Sequence, residues 1–336
     1  MHSFVPLITS VLVIQVDATN KPDTCKNYAT KQYMAEPIIR FTANLSHHKR
    51  RPAPYELGIS EEDGLAGPRG IAVDDKVNIY VLDTENGRIQ KYNSDGKFVS
   101  SIVIDKGRLA SASDFCIHKD GKIYILYGNN NEVRGYTQRG KLFFKARYRD
   151  PPQEWWQSRP NFIPFKIYVD KYENLYLGSA RAVCPLVQSR KRVNLLELGE
   201  VIDGAPGSGG ANDIIYSYKK TDDNRTVHIT RKTINGEEKA PISIVSKDVI
   251  THVECLGRDS LGNLYLLFNK YKGEYKKYWR EIQKIDGNGN LIALIDNLPR
   301  WVGLSSQRDL AIDNKGNIYH LIFSRQGGIL IKWHKK

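Results

Sequence analysis

Long apolar runs are scarce in this 336-residue chain: after residue 20 no stretch approaches the length of a bilayer-spanning helix. Methionine is scarce too, with 2 residues. The cysteines, Cys25, Cys116, Cys184 and Cys255, form no Cys-x-x-Cys pair and no zinc spacing, which removes finger and ribbon classes. No Gly-x-Ser-x-Gly element is present, which removes the usual hydrolase elbow. The glycine-rich run Gly204–Gly210 lacks a following Gly-Lys-Ser/Thr, so it is not a phosphate-cradling P-loop.

What is present is an ordinary globular composition, 40% hydrophobic and 26% charged. Tyrosine is abundant at 19 residues, and aromatic side chains suit pleated, half-buried surfaces. The formal net charge of +13 speaks to partners rather than fold. The partners it suits are acidic polysaccharide, nucleic acid or an anionic membrane surface. The apolar run Phe4 to Val16 has the length of a signal-peptide core, with the small residue Ala18 near a cleavage point. Residues 1–18 therefore read as an export signal, and the expected location is secreted, periplasmic or cell-surface. An oxidising compartment would admit a Cys25–Cys184 disulfide. Cys116 and Cys255 fall in expected inner strands and read as small buried hydrophobes.

An internal repeat organises the rest. Gly67 to Ile102 reads as four short strands, Ile71–Asp74, Asn78–Asp83, Arg88–Asn93 and Lys97–Ile102. Asn86-Gly87 and Asp95-Gly96 sit at turns that need positive φ. Six residues separate Asp74 from Tyr80, and the same interval recurs for His118 and Tyr124, Asp170 and Tyr176, Asp259 and Tyr265, Asp313 and Tyr319. The tyrosines stand 44, 52, 89 and 54 residues apart. The long gap holds a degenerate sixth copy anchored at Tyr216, with strands following at Thr226–Thr233 and Pro241–Val245. Repeats of this length with four strands each predict an all-β, six-bladed β-propeller of antiparallel blades. The last repeat has only three strands. The N-terminal lead, residues 19–66, is expected to supply the fourth, from Pro37–Ala43 or Tyr55–Ile59, and so close the ring over residues 67–336.

Gly67–Ile102 resembles the NHL repeat, through Pro68, Gly70, Asp74, Tyr80, Asp83, Asn86, Arg88 and Ile89. Repeat two departs from the pattern, with His118 in place of the first aspartate and no Asn-x-Arg-Ile element. The resemblance implies the propeller fold; function has to come from a site, because such propellers host unrelated activities.

Two sites are expected, both on the face carrying the loops ahead of the inner strands and between second and third strands. The first is made of long loops: Trp155, Trp156 and Arg159 in one, and Lys272, Tyr275, Lys276, Lys277, Tyr278, Trp279 and Arg280 in another. Aromatics interleaved with cations suit a polyanion or sugar chain. The plain alternative is a hairpin extension packed on the neighbouring blade. The second is the channel mouth, with Arg69, Asp114, Lys166, His252, Glu254, Arg308 and Asp309. The mouth is either a polar ligand site or a set of charges that compensate one another.

The resemblance also brings metal-dependent lyases and lactonases into view. Of the eight histidines only His252 falls at the mouth, which leaves no three-histidine zinc set. Calcium would need Asp114, Glu254 and Asp309 to pool their oxygens. The expected protein is thus a monomeric binding module for a protein or anionic glycan, with no required cofactor. The alternatives are a metal-dependent lyase or hydrolase at the channel and, should the chain stay in the cytoplasm, an RNA-binding propeller.

Overall fold

The computed structural model describes residues 33–44, 53–60, 66–104, 112–148, 165–178, 182–188, 195–198, 202–203, 205–206, 214–233, 237–272, 277–296, 298–299 and 308–336. The export segment, Cys25 and the loop 151–164 lie outside them. Among the described residues no helix is long and apolar enough to cross a membrane.

The strands form six antiparallel four-stranded blades. Blade one is Gly70–Val73, Ile79–Asp83, Arg88–Tyr92 and Phe98–Val103. Blade two is Ala112–Ile117, Ile123–Tyr127, Glu132–Tyr136 and Leu142–Tyr148, and blade three is Lys166–Val169, Leu175–Gly178, Ala182–Gln188 and Leu195–Leu198. Blade four is Ala205–Pro206, Ile214–Lys220, Thr226–Thr233 and Glu238–Val245, and blade five is Val249–Arg258, Leu264–Lys272, Lys277–Ile285 and Leu291–Ile295. Blade six has Leu310–Ile312, Ile318–Ser324 and Gly327–Lys335 from the C-terminal end of the chain. Tyr33–Asn44 lies antiparallel on its outer edge, Tyr33 opposite Lys335 and Thr42 opposite Gly327, and Glu56–Gly58 runs parallel beside it. Gly70 bridges Arg308, and Ile71 N–H donates to the Arg308 carbonyl at 2.9 Å, so the first and last inner strands stand side by side. The outer strands of blades two and three also meet, Tyr148 opposite Leu196.

Burial explains the strand sequences. Inner and second strands are apolar on both sides, as in Ile79–Asp83 and Ile123–Tyr127, because a neighbouring blade covers each face. Outer strands such as Leu142–Tyr148 and Glu238–Val245 alternate, because they flare away from their neighbours and leave one side wet. Each apolar cluster accordingly joins two blades. Ile71 and Val81 of blade one pack with Tyr319 and Leu321 of blade six, and Ile229 of blade four packs with Leu266 of blade five. The joint between blades three and four is thinner among the described residues: Tyr168, Tyr176 and Ile215.

The six-residue interval is a hydrogen bond. Asp313 Oδ1 accepts the N–H groups of Lys315 and Asn317, while Oδ2 accepts the Asn317 amide and the Tyr319 hydroxyl at 3.1 Å. The same tyrosine-to-aspartate bond is 2.9 Å for Tyr80–Asp74, 3.1 Å for Tyr176–Asp170 and 3.2 Å for Tyr265–Asp259. One carboxylate thus forms the turn after the inner strand and anchors the second strand to it. In repeat two His118 cannot accept this way, and Tyr124 OH donates to Glu173 of blade three instead. Glu173 holds φ +73, the turn position where blade six has Gly316 at φ +83. Left-handed backbone at a non-glycine costs on the order of 1 kcal/mol. The strain is offset across the blade boundary, where the Glu173 carboxylate also accepts from Lys122 Nζ at 2.6 Å.

The Asn-x-Arg element of repeat one is an anchor for the N-terminal lead. Buried Asp83 accepts from Arg88 Nε at 2.9 Å, Asn86 Nδ2 at 2.8 Å and the Gly58 N–H at 2.9 Å. Arg88 Nη2 in turn donates to the Glu56 carbonyl at 2.8 Å.

The turn carboxylate has a direct test. Tyr319→Phe removes one hydrogen bond and should cost about 1 kcal/mol, whereas Asp313→Ala strands several donors and should cost about 2–3 kcal/mol by urea unfolding. Equal costs would show that the aspartate is not the organising acceptor.

Candidate functional site

Inner strands put the mouth residues near the axis, and there they pair. Arg308, just before the inner strand of blade six, reaches Asp114 in blade two: Nη2 to Oδ2 is 2.7 Å and Nε to Oδ1 is 3.2 Å. Its Nη2 also donates to the Ile167 carbonyl at 2.9 Å, on blade three, which stands opposite blade six across the ring. Asp114 Oδ2 accepts the Ile167 N–H at 2.9 Å. The guanidinium lies 5.2 Å from the centroid of the Tyr168 ring. Arg308 is 4% exposed and Asp114 0%, so this layer closes the channel across its axis.

The other mouth groups pair around this layer. Lys166 of blade three bonds Glu254 of blade five, with His252 3.8 Å from the same carboxylate. Burial by itself would raise the Glu254 carboxyl, but the Lys166 charge and the His252 hydrogen bond bring it down to about 2. Arg280 Nη1 and Nη2 grip Asp309 from blade five. Burial pushes the Asp309 carboxyl up, and the Arg280 charge and His320 pull it well below the usual carboxylate range. His320, fully buried with Nε2 3.5 Å from Asp309, is held below the ordinary histidine value by that burial, against the pull of Asp309. Arg69 is half-buried beside the ring closure, its N–H donating to the Leu82 carbonyl at 3.0 Å. Asp114, Glu254 and Asp309 are each committed to a separate cation, so the trio does not pool its oxygens into one calcium cage.

The basic loop of blade five is a hairpin continuing Leu264–Lys272 into Lys277–Ile285. Tyr271 and Tyr278 pair across it with ring centroids 5.6 Å apart, and Tyr278 is exposed. Its base is neutralised: Lys270 Nζ meets Glu281 at 2.6 Å, and Trp279 Nε1 donates to Glu281 at 3.0 Å. Arg280 belongs to the axial ion pairs rather than to an open surface. At the tip Lys272 stands opposite Lys277 in register. Trp155, Trp156, Arg159, Tyr275 and Lys276 lie outside the described residues.

Two features were missed in the sequence. His118, Asp120 and Glu173 gather at the boundary of blades two and three, within reach of one ion, but the Lys122 ammonium already sits there, 3.1 Å from Asp120 and 2.6 Å from Glu173. Below the Arg308 layer a cavity of about 580 Å³ opens on the face opposite the long loops. Its rim is formed by the turns after the inner strands. The residue after each turn aspartate or its histidine substitute is Asp75, Lys119, Lys171, Ser260 and Asn314 in the five clear repeats.

The NHL repeat family model matches residues 65–92. Among solved structures the fold is similar to virginiamycin B lyase from Staphylococcus aureus, at 12% identity over 80% of this chain and 94% of that one, with a TM-score of 0.42. It is also similar to the WD40 domain of Pan2 from Neurospora crassa, at 12% identity over 91% of this chain and 86% of that one, with a TM-score of 0.44. No curated protein matches the sequence. The fold assignment rests on the strand pairing above, not on these likenesses.

A carboxyl held at about 2 instead of 4.5 makes Glu254 stabilising above pH 4.5, and that contribution is lost as pH falls toward 2. Acid should therefore destabilise the wild type more steeply through this window than Glu254→Gln, which is weaker at pH 7 but flatter in acid. Parallel unfolding curves for the two proteins from pH 5 to pH 2.5 would show that Glu254 is not held by Lys166.

Proposed function

We propose that this chain, a six-bladed propeller of the NHL-repeat type, is an exported binding module. It takes an acidic polysaccharide on the loop face, through the hairpin tip of blade five. The observation that carries this reading is the register of the tip, where Lys272 faces Lys277. Like charges directly opposite on paired strands destabilise a hairpin. The inner cations Lys270 and Arg280 are neutralised by Glu281 and Asp309, whereas the sequence of the tip, Lys272 to Lys277, carries three lysines and one carboxylate, Glu274. An anionic chain laid across the tip answers that excess of lysine, and Tyr278 beside it offers a flat exposed surface to a sugar. The surplus of +13 favours the encounter at a distance.

Ion pairing at the axis supports a binding role for the mouth's surroundings more than catalysis within it. Carboxylates committed to arginine and lysine are acceptors already filled, and a general base would first have to lose its partner. Export rests on the apolar run from Phe4 to Val16.

Heparin serves as the probe. The wild type should bind with an affinity that falls as salt rises, and Lys276→Glu/Lys277→Glu should weaken binding at least tenfold. Arg280 is left intact in this design because it holds Asp309. Lys272→Glu should likewise weaken binding while raising hairpin stability by a few tenths of a kcal/mol, since it places opposite charges in register. Salt-independent binding, or variants that bind like the wild type, would remove the reading.

A further inference from the structure

Repeat two departs from its siblings where it meets blade three. In the other four clear repeats an aspartate opens the turn after the inner strand, an asparagine follows four residues on and the tyrosine six residues on. Repeat two keeps Tyr124 but has His118 and Lys122 in the first two places, with Asp120 between them. Across the boundary, repeat three has Glu173 at the turn position where the others have glycine or valine. These four side chains gather at one spot.

Holding the blades together uses only part of the set. Glu173 accepts the Tyr124 hydroxyl, and Lys122 Nζ bonds both Glu173 oxygens, at 2.7 and 2.6 Å. Asp120 Oδ1 accepts the Lys122 N–H at 3.0 Å and so takes over part of the lost aspartate turn. The His118 side chain has no share in this. It is 6% exposed. Its Nε2 stands 3.4 Å from the Lys171 carbonyl oxygen, which can only accept, so Nε2 carries the hydrogen. In the neutral ring Nδ1 is then a bare lone pair. That atom has no hydrogen-bond partner among the described residues, yet it lies 2.9 Å from Asp120 Oδ1. Two lone pairs this close repel unless a cation stands against both. A carbonyl on one ring nitrogen, with the other nitrogen aimed at carboxylates, is how proteins orient a metal-binding histidine.

The other ligands are in place. One donor atom each from His118, Asp120 and Glu173 lies within 4.8 Å of the others. Neighbouring ligands of a tetrahedral ion stand roughly 3.3 Å apart, which rotation of the two partly exposed carboxylates can reach. Lys122 Nζ stands where the ion would, 3.1 Å from Asp120 and 2.6 Å from Glu173, and brings one positive charge to two carboxylates. It also has somewhere else to go. Its side chain is about a third exposed, and the exposed Phe143 ring lies 5.7 Å from the ammonium.

We propose that His118 Nδ1, Asp120 and Glu173 bind one zinc ion at the boundary of blades two and three, with the Lys122 ammonium swinging out as the ion enters. One imidazole and two carboxylates suit zinc, whereas calcium and magnesium take all-oxygen sets. Three protein ligands leave the fourth position to water.

Isothermal titration of the EDTA-treated full chain with zinc chloride, and with calcium chloride as its control, tests this. One zinc ion should bind per chain, about a hundredfold or more tighter than calcium. His118→Asn, whose amide still suits a turn, should weaken zinc binding about thirtyfold or more, and Asp120→Asn about tenfold. Lys122→Met removes the competing ammonium and should tighten binding about tenfold, an effect that zinc held elsewhere on the chain would not show. Asp120 and Lys122 are partly exposed, so their variants keep the test open should His118→Asn fail to fold. Cobalt in place of zinc should give the visible absorption of a four-coordinate centre, and His118→Asn should abolish it. Wild-type zinc binding that is absent, no tighter than calcium binding, or indifferent to both Asp120→Asn and Lys122→Met would each overturn the proposal.

Discussion

One guanidinium holds the centre of this wheel. Arg308 leaves blade six, crosses the axis to blade three and grips a carboxylate on blade two, all within a layer almost closed to solvent. An arginine can do this because its fork carries several fixed donors: two bonds go to Asp114, one goes to a backbone carbonyl, and the planar face remains for Tyr168. A charge buried this deeply is tolerated only when fully paired. The packing that seats Arg308 must therefore bring three blades into register together, whereas the apolar joints each involve two.

That layer also decides where ligands can go. It separates a mouth crowded with paired charges from a cavity whose rim carries aspartates and lysines of the turns. On the mouth side, Lys166, Glu254, Arg280 and Asp309 satisfy one another across blade boundaries. The protein's positive surplus is thereby kept off the axis and left to the periphery.

The architecture was readable because a local interaction wrote it into the chain. The aspartate and tyrosine of each repeat are six residues apart since one carboxylate must cap the turn and also reach the next strand. The blurred fourth repeat was still found through Tyr216, with Thr226–Thr233 as its third strand. The site was far less readable. Asp114 and Arg308 were both placed at the mouth, yet they are 194 residues apart, and only the closed ring makes them partners. Arg280 stands among the hairpin cations in sequence, while its physical neighbour is Asp309. The turn-face cavity is illegible for a different reason: its rim is made from short turns whose aspartates are structural, and the residues after them, Asp75, Lys119, Lys171, Ser260 and Asn314, share no pattern.

A double-mutant cycle on Arg308 and Asp114 reaches the central claim most directly. Urea unfolding of Arg308→Met, Asp114→Leu and the double variant gives the coupling between the two side chains. If the pair is the axial lock, each single variant strands a buried charge and the double is much less destabilised than their sum, with a coupling of at least about 1.5 kcal/mol. Costs that add to within about 0.5 kcal/mol would mean that the two residues do not meet across the ring.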